Sequence, residues 1–219
     1  MRTVIFDLDG TLVDSSADLI AAANSVFRDL GHGDLLHPVT DARTAFRGGR
    51  AMLKLGYGRL GLGEEGMERD YPALLEAYGQ RLDVFTRLYP GAVAAVEALV
   101  AAGYAVGICT NKPEAMAEAL LQSLGIRSLF GSLIGADTLA TRKPDPAPYL
   151  AAVERAGGVV DHSILIGDPE TDLQTARAVG VPCALVTFGP DGRGVAEMQP
   201  EALLDDFGGL SALVARHIG

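Results

Sequence analysis

Cysteine, lysine and long apolar runs are all scarce in this chain of 219 residues, and each scarcity excludes a class of protein. Two cysteines cannot form the disulfide framework that holds small secreted domains together. Lysine and arginine number 18 against 28 aspartates and glutamates, which leaves a formal net charge of −10 at pH 7. Because nucleic acids and anionic membranes are bound by clustered basic residues, we expect neither as a partner.

No apolar run in the sequence is long enough to span a membrane. The longest one, residues 92–102, is interrupted by Glu97 and falls short of the roughly 20 residues that a spanning helix needs. The first strand-like run leads straight into Asp7, without the charged and apolar regions of a signal peptide. Hydrophobic residues make up 48% of the chain, which is ordinary for a folded globular protein. We therefore expect a cytoplasmic enzyme.

Short apolar runs alternate with helical patterns along most of the chain. Runs without polar alternation predict strands buried on both faces, at residues 3–6, 104–109, 133–134, 163–166 and 183–186. Apolar residues at helical spacing predict helices at residues 16–30, 92–102, 113–124, 146–156, 170–179 and 210–217. Such alternation is typical of the α/β class, and it predicts a doubly wound, Rossmann-like parallel sheet covered by helices on both faces.

One segment breaks this alternation, because residues 32–88 contain no strand-like run. Helical patterns occur there at residues 40–46, 49–55 and 72–88, with glycine-rich joints between them. We interpret this segment, together with the helix before it, as a small α-helical domain of residues 16–88 inserted into the chain. The α/β core domain then consists of residues 1–15 and 89–219.

Polar residues follow four of the predicted strands at their carboxyl ends, which is where ligands bind in open parallel sheets. In chain order they are Asp7, Asp9, Thr110, Asn111, Lys112, Lys143, Asp168 and Asp172. Each stretch on its own is also compatible with a plain turn or a helix start, since Asp, Asn, Thr and Pro are common at both. Their joint arrival at one edge of the sheet favours a functional site.

The chemistry that suits these residues is phosphoryl transfer. Three carboxylates on one edge repel each other unless a hard cation joins them, and Mg²⁺ prefers oxygen ligands. In an extended segment Asp7 and Asp9 point to the same side, so that one of them can attack phosphorus while the other protonates the leaving oxygen. Lys143, the Thr110 hydroxyl and backbone N–H groups can bind the phosphoryl oxygens.

Four segments resemble the motifs of the haloacid dehalogenase (HAD) superfamily, in the same order and across nearly the whole chain. DLDGTLVDS at residues 7–15 is similar to the first motif, and Thr110-Asn111 is similar to the second. Lys143-Pro144 resembles the third motif, and GDPETD at residues 167–172 resembles the fourth. The helical insert is similar to the small C1-type cap of the phosphoglycolate-phosphatase-like branch. The resemblance therefore implies a HAD-type α/β core with a helical cap.

The resemblance also implies a role for each matching residue. Asp7 is expected to be the nucleophile that becomes an aspartyl-phosphate, and Asp9 is expected to be the general acid and base. Mg²⁺ is expected to bind the Asp7 carboxylate, the Asp9 backbone carbonyl and Asp168, with Asp172 just behind these ligands. Three residues are expected to bind the phosphoryl group: Thr110, Asn111 and Lys143.

The insert indicates the substrate, because RTAFRGGR at residues 43–50 is similar to the substrate loop of phosphoglycolate phosphatases. Its arginines offer planar N–H donors to a substrate carboxylate, and each can equally be a solvated charge on a helix face. They are Arg43, Arg47 and Arg50. We therefore expect a Mg²⁺-dependent phosphatase that hydrolyses a small phosphorylated metabolite, with 2-phosphoglycolate as the first candidate.

Two alternative functions remain open on the sequence. A sugar-phosphate phosphatase, a phosphomutase or a pyrophosphatase of the same superfamily would carry the same motifs. A receiver-like switch, which accepts a phosphoryl group on an aspartate without turnover, also uses an acidic cluster with a Thr and a Lys. The helical insert and the chain length disfavour the switch, because it has no need of a substrate cap. No long exposed apolar stripe distinguishes a monomer from a homodimer.

Overall fold

The computed structural model describes all 219 residues, Met1–Gly219, and divides them into two compact units. The first unit comprises Met1–Val13 and Leu88–Gly219, and the second unit comprises Asp14–Arg87. The boundaries expected from the sequence, at residues 15 and 89, are close to these divisions. That the first unit is a catalytic core and the second unit a cap stays a prediction.

The chain forms eight strands. Six of them build a parallel sheet in the first unit: β1 (Thr3–Phe6), β4 (Ala105–Cys109), β5 (Ser132–Ile134), β6 (Ser163–Gly167), β7 (Cys183–Val186) and β8 (Ala202–Leu204). The short strands β2 (Val13–Asp14) and β3 (Arg87–Leu88) form a separate two-stranded sheet. The spatial order of the large sheet is β5-β4-β1-β6-β7-β8, so the order of the strands reverses beside β1. Such a reversal creates a crevice at the carboxyl ends of the strands.

Nine α-helices accompany these strands. The second unit contains α1 (Ser16–Asp29), α2 (Ala42–Ala45), α3 (Gly49–Arg59) and α4 (Met67–Gly79). The first unit contains α5 (Ala92–Ala101), α6 (Glu114–Ser123), α7 (Pro146–Arg155), α8 (Glu170–Val179) and α9 (Leu210–Ile218). None of these helices is both long and apolar enough to cross a membrane.

Strand β1 shows why the sheet strands are continuous apolar runs. All four of its side chains are buried, and successive side chains in a strand point to opposite faces. Both faces of the sheet are therefore covered, as expected for a parallel sheet flanked by helices. Tyr149 of α7 lies in this core, where its hydroxyl donates a hydrogen bond to Ser163 Oγ at 2.8 Å. The predicted doubly wound α/β fold is confirmed.

The second unit has its own apolar core, centred on Phe27 of α1. The Phe27 ring packs edge-on against Tyr57 of α3, with the ring centroids 5.7 Å apart. Gly56 makes this packing possible, since a Cβ at that position would lie 2.2 Å from the Phe27 ring. Helical patterning in this segment thus produces a small helical unit that buries its own side chains.

The predicted secondary structure is wrong at one helix, and it lacks the three short strands β2, β3 and β8, of which β3 lies in the segment expected to contain no strand. The helix expected at residues 72–88 begins at Met67 and ends at Gly79, with Pro72 inside it rather than in its first turn. The residues between this helix and β3 are not helical. The N–H groups of Phe85 and Thr86 donate to the Asp18 carboxylate at 2.9 and 2.7 Å instead of to helix carbonyls. Strand β8 was not predicted, since this three-residue edge strand is only partly buried and lacks a distinctive apolar run.

Candidate active site

The register of the sheet brings the predicted site residues to one edge. Phe6 of β1 pairs with Ile108 of β4 and with Ile166 of β6, so the residues that follow these three are level with each other. The ladder continues past the end of β1, where the Asp7 N–H donates to the Ile166 carbonyl at 2.9 Å. At the end of β4 the Thr110 N–H donates in the same way to the Ile134 carbonyl at 2.9 Å.

Three buried carboxylates meet at this edge. Oxygen atoms of Asp7, Asp168 and Asp172 all lie within 4.8 Å of one another. Asp172 is on the first turn of α8, and its Oδ2 accepts a hydrogen bond from the Asp168 N–H at 3.3 Å. The sequence predicted Asp7 and Asp168 as partners, and the structure places Asp172 within 4.8 Å of both.

Lys143 lies beside this carboxylate cluster. Its Nζ is 2.5 Å from Asp172 Oδ1 and 3.1 Å from Asp7 Oδ1, and only 1% of its side chain is exposed. Burial by itself lowers the pKa of Lys143, but the attraction of Asp172 and Asp7 more than offsets that effect and raises the pKa above its ordinary value. Lys143 is therefore a permanent positive charge next to the expected nucleophile.

The crowding of carboxylates changes their acidity. Burial raises the pKa of Asp172 to about 7, with the charge of Asp7 adding to the rise and Lys143 opposing it. Burial also raises the pKa of Asp168 well above its ordinary value, and the neighbouring charges of Asp7 and Asp172 add to this rise. Clustered, buried carboxylate oxygens are the donors that Mg²⁺ prefers, so the residues present fit a divalent cation.

Two glycines allow the backbone to approach these carboxylates. Gly10 has a φ of +87°, and a Cβ there would lie 2.6 Å from Asp168 Oδ2. A Cβ at Gly167 would lie 2.1 Å from Asp172 Oδ2. The hydroxyl of Thr11, which follows Gly10, donates a hydrogen bond to Asp168 Oδ1 at 2.8 Å. The turn after Asp9 is therefore shaped to hold the Asp168 carboxylate.

Substituting Gly10 with alanine is expected to damage this turn more than the same change elsewhere. Gly103→Ala is the matched control, because Gly103 has a φ of +82° and nothing within 4 Å of its Cβ position. Both variants bear the backbone strain, whereas only Gly10→Ala pushes the Asp168 carboxylate aside. We expect Gly10→Ala to lose about 1–3 kcal/mol more unfolding free energy in urea, and about 100-fold in kcat/KM. Equal losses in both variants would show that the turn tolerates a side chain.

The predicted phosphate-binding residues lie at the end of β4. Thr110 is buried, and its Oγ1 accepts a hydrogen bond from the Lys112 N–H at 3.2 Å. Asn111 is exposed, and its Nδ2 donates to the Lys143 backbone carbonyl at 3.1 Å. This bond ties the segment after β4 to the segment that carries Lys143. That Thr110 and Asn111 bind a phosphoryl group stays a prediction.

Sequence reasoning did not predict the partner of the Asp9 side chain. Lys112 Nζ lies 3.1 Å from both carboxylate oxygens of Asp9, so this carboxylate is held apart from the Asp7, Asp168 and Asp172 cluster. The signal available was the scarcity of lysine, since Lys112 is one of only three in the chain and directly follows Thr110 and Asn111.

The three arginines expected to bind substrate, Arg43, Arg47 and Arg50, lie in the second unit and are all exposed. Arg50 donates two hydrogen bonds to Glu68, at 2.6 and 2.9 Å, and its guanidinium lies 3.9 Å from the centre of the Tyr71 ring. This is the arrangement of a paired charge on a helix face. A substrate role for Arg43, Arg47 or Arg50 stays a prediction.

Comparison with known proteins identifies the family of this chain. A phosphoglycolate phosphatase from Agrobacterium fabrum is 36% identical over 214 residues, which cover 94% of this chain and 89% of that protein. A phosphoglycolate phosphatase from Rhodospirillum rubrum is 37% identical over 218 residues, which cover 95% and 89%. A predicted phosphoglycolate phosphatase from Haemophilus somnus has a similar structure, with a TM-score of 0.85, 26% identity and 97% of each chain covered. The sequence model of the haloacid dehalogenase-like hydrolases matches residues 4–186, and this chain belongs to that family.

Proposed function

We propose that this protein is a Mg²⁺-dependent phosphatase that hydrolyses 2-phosphoglycolate through a phosphorylated Asp7. The chain is a phosphoric monoester hydrolase, the class to which its named relatives belong. The observation that carries the proposal is the position of Asp7, whose carboxylate lies 3.1 Å from the Lys143 ammonium and within 4.8 Å of the buried carboxylates of Asp168 and Asp172. This arrangement combines a nucleophile, a cation for phosphoryl oxygens and donors for a metal.

The metal would be held at the cluster of carboxylates. Asp7 and Asp168 would each contribute a carboxylate oxygen and Asp9 its backbone carbonyl, while Asp172 lies within 4.8 Å of both carboxylates. A bound Mg²⁺ supplies positive charge to the phosphoryl oxygens and thereby favours nucleophilic attack. The raised pKa values of Asp168 and Asp172 support this assignment, since a divalent cation would offset both the burial and the repulsion between carboxylates that raise them.

The chain's own residues account for both half-reactions. A carboxylate oxygen of Asp7 attacks phosphorus, the ester P–O bond breaks, and Asp9 gives its proton to the departing glycolate oxygen. Asp9 then takes a proton from water, the water oxygen attacks the phosphorus on Asp7, and the Asp7 O–P bond breaks to release inorganic phosphate. Lys143, at 3.1 Å from Asp7, binds the phosphoryl oxygens as charge builds on them.

Without a metal, the free energy of unfolding is expected to fall as pH rises from about 4 to about 7. An aspartate in the unfolded chain has a pKa of about 3.9, whereas the pKa of folded Asp172 is about 7. The folded protein holds the proton across this window, so each rise in pH favours the unfolded chain.

Metal binding requires the deprotonated carboxylates. We therefore expect MgCl₂ to raise the melting temperature more at about pH 8 than at about pH 5.5, as measured by scanning calorimetry.

Two variants control this experiment. Asp172→Asn removes one titrating carboxyl from the cluster, so it should flatten the pH dependence seen without metal. Asp161→Asn makes the same chemical change at an exposed position and should leave the pH dependence unchanged. Equal rises in melting temperature at both pH values would contradict a metal site made of these carboxylates.

A phosphate-release screen tests the proposed function directly. The panel contains 2-phosphoglycolate, sugar phosphates, pyrophosphate, nucleotides and p-nitrophenyl phosphate, each with and without Mg²⁺. We expect many turnovers, a requirement for Mg²⁺ and the highest kcat/KM for 2-phosphoglycolate. Release of a single phosphate per chain would indicate a receiver-like switch instead. A higher kcat/KM for a sugar phosphate or for pyrophosphate would keep the phosphatase and reject the substrate.

A substrate role for the arginines of the second unit belongs to the same proposal. One of Arg43, Arg47 and Arg50 is proposed to bind the substrate carboxylate. Arg50 already pairs with Glu68 and lies against the Tyr71 ring, which makes Arg47 a stronger candidate than Arg50.

A further inference from the structure

Lys112 is a buried cation in a fixed position beside Asp9. Only 2% of its side chain is exposed, and its Nζ lies 3.1 Å from both Asp9 oxygens. Its backbone is held on both sides, because its N–H donates to Thr110 Oγ1 at 3.2 Å and its carbonyl accepts from the Ala136 N–H at 3.0 Å. Burying an ammonium is costly, so a position built in this way beside the partly exposed Asp9 carboxylate indicates a function for Lys112.

The position of Asp9 determines where the leaving group lies. A general acid has to come within about 3 Å of the oxygen that it protonates. Since Lys112 Nζ is 3.1 Å from both Asp9 oxygens, the leaving oxygen lies within about 6 Å of that ammonium. Substituents close to the leaving oxygen are therefore next to Lys112, whichever Asp9 oxygen delivers the proton.

A leaving group with a carboxylate one carbon away from its ester oxygen fits this distance. In 2-phosphoglycolate a single CH₂ group separates the two, which places a carboxylate oxygen roughly 3 Å from the leaving oxygen. An ammonium has three N–H donors on a flexible stem, so Lys112 can bind a substrate carboxylate while it keeps a bond to Asp9. Lys143 is less suited to this task, because it lies against Asp172 and Asp7.

We propose that Lys112 binds the carboxylate of the substrate's leaving group and so selects phosphate esters of small 2-hydroxy acids. This inference rests on the proposed function and assigns the contact with the substrate carboxylate to Lys112 of the first unit in place of an arginine of the second unit. The Lys112→Met variant decides between the two assignments. The Asp9 carboxylate and the substrate carboxylate share one ammonium. Esters with a neutral leaving group, such as ethyl phosphate, gain nothing from this contact.

Binding to the Asp7→Asn variant isolates this contact from the chemistry. Calorimetry in the presence of Mg²⁺ gives the Kd of 2-phosphoglycolate and of ethyl phosphate, which has a methyl group in place of the carboxylate. We expect 2-phosphoglycolate to bind about 10- to 100-fold more tightly. Adding Lys112→Met should remove most of this difference, because it weakens the binding of 2-phosphoglycolate more than the binding of ethyl phosphate, which loses only the positive charge near its phosphoryl group. A difference that survives Lys112→Met would overturn the inference.

A second variant gives a result of opposite sign and does not depend on how well Lys112→Met folds. Asp9→Asn, also combined with Asp7→Asn, removes the carboxylate that competes for the ammonium. The preference for 2-phosphoglycolate over ethyl phosphate should therefore increase by about 3- to 10-fold. A purely structural ion pair predicts no increase, and that result would also overturn the inference. Lys54→Met, at an exposed lysine paired with Glu64 in the second unit, should leave both Kd values unchanged.

Turnover by the unmodified enzyme separates this inference from the proposed function. If the enzyme prefers 2-phosphoglycolate to ethyl phosphate and Lys112→Met abolishes that preference mainly through KM, both are supported. If the enzyme has the preference and Lys112→Met retains it, the role of Lys112 is rejected while the proposed function stands. If the enzyme shows no preference for 2-phosphoglycolate, the proposed substrate and the role of Lys112 are rejected together.

Discussion

Replacing Asp7 with asparagine will lower kcat/KM for phosphate release by at least about four orders of magnitude on every substrate. The amide has nearly the shape of the carboxylate but is neither charged nor nucleophilic, so no phosphoenzyme can form. The fold should not suffer, because the substitution relieves the repulsion of Asp7 with Asp168 and Asp172. We therefore expect an unchanged or higher melting temperature together with the loss of turnover.

The matched control is Asp161→Asn, the same chemical change at an exposed position of the first unit, which should keep full activity. Acid quenching during turnover should trap a hydroxylamine-sensitive acyl phosphate in the unmodified enzyme and none in Asp7→Asn. Retention of more than about one per cent of kcat/KM by Asp7→Asn would reject Asp7 as the nucleophile.

Replacing Lys143 with methionine will cost about 3–5 kcal/mol of unfolding free energy and will abolish activity. Lys143 is fully surrounded by protein, and it faces Asp172 at 2.5 Å and Asp7 at 3.1 Å. Its removal leaves two buried carboxylates without their cation. Urea unfolding without Mg²⁺ at neutral pH measures the loss. The loss should shrink at about pH 5, where the raised pKa of Asp172 keeps that carboxyl protonated.

A double variant separates stability from catalysis. Lys143→Met combined with Asp172→Asn removes both members of the buried Lys143–Asp172 ion pair, so the double variant should recover part of the lost stability. Activity should not return, because the cation beside Asp7 is still missing. Lys54→Met removes an exposed lysine and should leave the unfolding free energy within about 0.5 kcal/mol of the unmodified value. If Lys143→Met is as stable as the unmodified protein, the buried ion pairs contribute nothing to stability.

The charges at the edge of the sheet explain why both lysines matter. Four carboxylates and two ammonium groups lie there: Asp7, Asp9, Asp168, Asp172, Lys112 and Lys143. Their formal charges sum to −2, which one divalent cation neutralises. An incoming phosphate ester would then meet a neutral site in a protein whose net charge is −10. Loss of either lysine leaves this balance negative.

The sequence by itself determined where the longer strands lie along the chain and which polar residues follow them. Burial on both faces makes β1 and β6 continuous apolar runs, and this pattern is visible without any knowledge of distant residues. The rule that ligands bind at the carboxyl ends of parallel strands then predicted that Asp7 and Asp168 would meet. The resemblance to the haloacid dehalogenase superfamily follows from the same short segments, and the family model that matches residues 4–186 confirms it.

Only the tertiary structure decided which side chains pair with each other. Asp9 and Lys112 are separated by 103 positions in the chain, and Lys143 and Asp172 by 29. Whether such residues meet depends on strand register, loop course and side-chain rotamers, which packing across the whole unit determines. Local patterns contain no information about these distances, so the carboxylate that each lysine neutralises is a property of the folded chain alone.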